Sequence, residues 1–145
     1  MTTPAASPLS FLDIDNLSDH WDRAYLQSAQ MRRIFTRPLA ESFDAMKGFA
    51  FNKREAPETV FDRLREEQPN FWRALMQKIA HIPNAAHRAS GLAFVYVVNE
   101  LHECAGVSES KAVGVVCYAL SLHNLRAPIN SAAAYRVAKH RYNKR

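Results

Sequence analysis

A chain of 145 residues, 48% apolar and 23% charged, is long enough to bury a core without staples and too apolar for wholesale disorder. Four glycines disfavour a turn-rich β architecture, while Ala, Leu, Arg, Glu and Gln supply good helix formers. The net charge of +5 is unevenly placed: residues 126–145 hold six bases and no acid, so the first 125 residues sum to −1, 13 bases against 14 acids.

In chain order, residues 1–10 are small, polar and proline-containing and read as an extended arm. Phe11, Leu12, Ile14 and Leu17 lead into a helix over residues 20–36, capped by Ser18 or Asp19, with Trp21, Ala24, Tyr25, Ser28, Met31, Ile34 and Phe35 at helical spacing. Pro38 ends it. A second helix spans residues 39–47, and residues 48–57 form a loop. Pro57 suits the first turn of a third helix, residues 58–67, with the stripe Val60, Phe61, Leu64. Pro69 interrupts, and Asn70 is the expected cap of a helix over 71–81 that carries Phe71, Trp72, Leu75, Met76 and Ile79.

Residues 85–104 contain the longest apolar run of the sequence, from Leu92 to Val98 and on to Leu101. This is the expected buried central helix, stopped by Gly106. Ser108 opens the next, residues 108–123, whose β-branched content leaves a strand as the competing reading. Asn124 to Pro128 make a turn, and Asn130 or Ser131 caps a last helix over 132–142. The expectation is an all-α, single-domain bundle of about six to seven helices over residues 11–145, around the helix at 85–104.

Motifs for chemistry are sparse. His81, His87, His102, Cys104, Cys117 and His123 lack the CxxC, HxxxH or HExxH spacing that organises metal ligands, so no metal or cofactor is expected. There is no GxSxG elbow and no glycine-rich phosphate loop. Glu100 and Glu103, three apart, read as a solvated helix end rather than an acid/base pair. The expectation is a protein that is not an enzyme.

The N-terminus lacks the basic region and apolar core of a secretory signal, and the run near residue 92 is too short to span a bilayer. A cytoplasmic location, free buried thiols and no membrane partner follow as expectations.

The bases carry the strongest signal. Arg136, Lys139 and His140 recur at three- and four-residue spacing, and Arg141, Lys144 and Arg145 continue the charge. Tyr135 and Tyr142 are interleaved and suited to stack on bases. Arg32, Arg33 and Arg37 form a second cluster. Such arrays contact phosphates without reading sequence, and salt weakens them by counterion competition. A helix-turn-helix is disfavoured by the long connector at 124–130, and Ala132, Ala133 and Ala134 offer few side chains to read bases.

The expected partner is therefore RNA or DNA backbone, through Arg136, Lys139, Arg141, Lys144, Arg145, Arg32, Arg33 and Arg37. The rival is a protein-interaction module (an inhibitor, adaptor or antitoxin-like partner) working through Phe11, Trp21, Phe49, Phe51, Phe71 and Trp72.

In size, helical pattern and charge placement, and in the run FWRAL at residues 71–75, the chain resembles the small, all-helical, basic subunits of RNA-guided CRISPR effector complexes. That resemblance implies contacts to nucleic-acid backbone and to protein subunits of a larger complex, and it assigns no role to any single residue.

Overall fold

The computed structural model describes residue 39, residues 54–85 and residues 90–143, with backbone alone at 142 and 143. These residues form five helices and no strand: α1 (Pro57–Glu67), α2 (Pro69–Ala80), α3 (Ser90–Ala105), α4 (Glu109–Leu122) and α5 (Ala132–Asn143). The helices expected over 20–36 and 39–47 lie outside the described residues, apart from Leu39.

Local chemistry explains the boundaries. Pro57 and Pro69 stand in the first turns of α1 and α2, where a missing N–H leaves no helical bond unmade. Asn70 is thus inside α2 rather than its cap; Gln68, with φ −134° and ψ 62°, stands at the cap position instead. The central helix starts later than residue 85, since Ala85 lies in a turn, and residues 86–89 are outside the described set. It ends at Gly106, whose φ of 70° is costly for residues with a Cβ. Ser108 caps α4 by accepting the Lys111 N–H at 3.2 Å, and Ser131 caps α5 by accepting the Ala134 N–H at 3.1 Å. The segment with strand-like composition is helix α4: its Val113, Val115 and Val116 are buried, and packing overrides the β-branched preference.

Core positions are shared between α1, α2, α3 and α4, with α5 laid against α3 and α4. Residues 92 to 101 of α3 are all buried, so this helix is covered on every side. Each fully buried Leu, Val or Phe there contributes about 1.5–3 kcal/mol of transfer free energy. Gly114 of α4 admits the Pro57 ring of α1: a Cβ at this glycine would meet Pro57 Cγ at 2.5 Å. Close approach of α1 to α4 therefore depends on the absence of a side chain at 114.

Covering α3 completely also buries its polar residues. Glu100 is 0% exposed and pairs with Lys78 of α2, 3% exposed, at 3.1 Å from Nζ to Oε1. Its other oxygen, Oε2, accepts the backbone N–H of buried Leu39 at 2.7 Å. The solvated helix end expected for Glu100 and Glu103 is therefore corrected: Glu103 is exposed and Glu100 is in the core. The reason is packing, because α3 is covered on every side through position 101 and Lys78 supplies the opposite charge.

Candidate functional site

The basic C-terminal region is built on α5 and on the connector that precedes it. At 100° per residue, Tyr135 and Ala138 fall together on the side of α5 facing α3, and both are buried. Lys139 and Arg136 lie on one flank of that buried side, with Lys139 at its edge and half-buried, and His140 lies beyond Arg136 on the exposed face. Arg141 lies about 100° further round from His140 and is exposed on the opposite flank. The structure thus brings Arg136 and Lys139 together, with His140 next round the helix from Arg136, and sets Arg141 apart. Lys144, Arg145, Arg32, Arg33 and Arg37 lie outside the described residues.

The Arg136 and Lys139 flank faces the first turn of α4. Arg136 Nε lies 3.3 Å from Glu109 Oε1, and Lys139 Nζ lies 3.8 Å from Glu109 Oε2. One carboxylate therefore bridges two cations, one oxygen to each. Glu109 is about three-quarters covered and Arg136 is 60% exposed, so the cluster is open to solvent on its arginine side.

Tyr135 does not join a stacking surface. Its ring is fully buried, Lys139 Nζ sits 5.9 Å from the ring centroid, and its hydroxyl points at Asn99 Oδ1, 3.5 Å away. Burial, then the charges of Glu109 and Glu103, hold its pKa far above the usual tyrosine value, so it stays a neutral phenol. The expected base-stacking role of Tyr135 is corrected, because the residue lies on the core face of α5. The side chain of Tyr142 is outside the described residues.

Arg126, absent from the expected site list, is exposed in the α4–α5 connector. It lines an open cleft of about 460 Å³ with Asn84, Ala85, Ala127, Pro128 and Asn130. The signal for it was present: it opens the acid-free segment and stands next to a turn. Cys117 braces the same connector, its thiol donating to the Ile129 carbonyl at 3.2 Å. Burial pushes this thiol's pKa up, which keeps it protonated and a poor nucleophile.

Of the aromatic surface considered for a protein-interaction module, two members are described: Phe71 belongs to the core and Trp72 packs against it. Phe71 is fully buried, and Trp72 is half-buried edge-on against Phe61 at 5.9 Å. They face inward because α2 packs on α1, α3 and α4. Phe11, Trp21, Phe49 and Phe51 lie outside the described residues. Among the described residues there is no group of three or more His, Cys, Asp or Glu able to hold a metal ion, and no helix long and apolar enough to cross a membrane. No family model, curated protein or solved structure matches the chain.

Proposed function

We propose that this is a non-enzymatic protein that binds the phosphate backbone of nucleic acid without sequence preference, as one small subunit of a larger nucleoprotein assembly of the RNA-guided type. The supporting observation is the exposure of Arg126, Arg136, His140 and Arg141 within a segment, residues 126–145, that contains no acid. Exposed guanidinium groups on a helix and its connector can reach phosphate oxygens. The small residues Ala133, Ala134 and Val137 between them carry no hydrogen-bonding group to read a base edge.

Lys144, Arg145 and the Arg32, Arg33, Arg37 cluster extend the same track in this reading. The protein is then one helical bundle of six to seven helices over residues 11–145 behind an arm at 1–10, packed around the helix in the 85–104 region, and it works in the cytoplasm.

Fluorescence anisotropy with labelled oligo-dT and oligo-U tests the reading. Affinity should fall linearly in log–log form with salt, with a slope of about −0.7 per neutralised phosphate for single strands. The quadruple variant R126Q/R136Q/K139Q/R141Q should lose at least about tenfold in affinity at low salt and show a shallower slope. Equal affinity of wild type and quadruple variant would overturn it.

A further inference from the structure

The feature that the reading above leaves unexplained is the carboxylate lying in the middle of the proposed phosphate-binding flank. Arg136 and Lys139 both lie against the carboxylate of the protein's own Glu109, with one oxygen toward each cation at 3.3 and 3.8 Å. A carboxylate and a phosphodiester share the relevant chemistry: two equivalent oxygens carrying one negative charge between them. Arginine and lysine three residues apart on α5 therefore form a seat for one phosphate, already filled from within.

The occupant is held loosely enough to exchange. Neither distance is that of a tight charge-assisted hydrogen bond, Nε offers a single donor rather than the two-pronged fork, and Arg136 is largely in solvent. Glu109 is in the first turn of α4, a favourable place for a carboxylate, so it has a stable position to return to when displaced from the cations.

We infer that Arg136 and Lys139 form a subsite for one backbone phosphate and that Glu109 is its internal competitor, setting the affinity of this face for nucleic acid. The inference rests on the nucleic-acid reading and sharpens it. Binding exchanges the Glu109 contacts for phosphate contacts, so the wild-type protein gains less from Arg136 and Lys139 than their charges alone would deliver. With Glu109 in place the face binds weakly and releases readily, which suits a subunit that acts alongside others.

The test compares wild type, Glu109→Gln, Glu109→Ala and Arg136→Gln/Lys139→Gln in binding to labelled oligo-dT, with inorganic pyrophosphate as a second probe. Removing the acid should tighten both by about 3- to 10-fold at low salt, the effect of releasing exposed Arg136, and in smaller part half-buried Lys139, from one carboxylate. Arg136→Gln/Lys139→Gln should weaken both, and adding Glu109→Gln to that double variant should restore little, because the competitor then has nothing to compete for. Two failures are distinguishable. If Arg136→Gln/Lys139→Gln weakens binding but neither Glu109 variant tightens it, the competitor role is wrong and the nucleic-acid reading survives. If Arg136→Gln/Lys139→Gln binds as wild type does, the subsite itself is wrong, and the competitor role falls with it.

Discussion

Two carboxylate–cation clusters in this molecule use the same side-chain chemistry in opposite settings. Glu100 meets Lys78 and the Leu39 amide inside the core, where both side chains are almost fully removed from water. Glu109 meets Arg136 and Lys139 at the surface, where water reaches the arginine. In the core, desolvating two charges costs about as much as their attraction returns, so such a pair adds little net stability while intact but is very costly to break. At the surface the pair is weak and replaceable, because water can take either partner's place and another anion can take the carboxylate's. The comparison teaches that an ion pair's exposure, more than its separation, decides whether it fixes a structure or leaves a cation open to exchange. The buried cluster ties α2, α3 and the chain at Leu39 together, and the exposed one joins α5 to the first turn of α4.

The comparison can be broken most directly at the core. Glu100→Ala removes the buried carboxylate that Lys78 and the Leu39 N–H share and should cost about 3–5 kcal/mol, read as a lowered urea midpoint. A loss below about 1 kcal/mol would mean that water reaches the pair and that it behaves as a surface one. Gly114→Ala probes the packing that surrounds it. The new methyl group meets a proline ring that cannot swing aside, so a loss of about 1–3 kcal/mol is expected from thermal or urea unfolding, with helical content unchanged.

Acidity distinguishes the clusters next. Burial pushes the Glu100 carboxyl above its ordinary range, and this outweighs the attraction of Lys78 and the Leu39 N–H. The folded state therefore holds the proton more tightly than the unfolded state. The contribution of this group is present in full below its unfolded pKa and is lost as pH rises through the folded one. Relative to Glu100→Gln, wild type should gain stability as pH falls from neutrality toward the glutamate range, measured as the difference in urea midpoints. The reverse trend would show that Lys78 dominates.

The smallest stability effect belongs to Glu109→Gln, which should change unfolding free energy by less than about 1 kcal/mol while moving ligand affinity as described above. A larger stability loss would place Glu109 among the structural pairs.

Much of the described fold was legible because the signals are local. Proline at 57 and 69, glycine at 106 and serine at 108 and 131 act on their own turns, and Val60, Phe61 and Leu64 repeat at the helical period whatever packs against them. The candidate site was legible only as charge. That Arg136 and Lys139 share a flank follows from spacing, but the acid facing them comes from 27 and 30 positions away in the chain.

What the sequence by itself determined is the helical class of the described region, the ends of most of its helices and the acid-free, basic C-terminal segment, since each depends on residues close in the chain. Tertiary structure alone decided which polar groups the core would take in. Lys78 follows Phe71 and Leu75 on the inner stripe of α2, and Glu100 lies in the fully covered part of α3, yet charge by itself argues for water. They are buried because each lies opposite the other once α2 packs on α3. Tyr135 is buried because α5 lies against α3. Glu109 answers Arg136 and Lys139 because the same packing sets α5 beside the first turn of α4. Opposite charges distant in the chain find one another only through the packing of the helices that carry them.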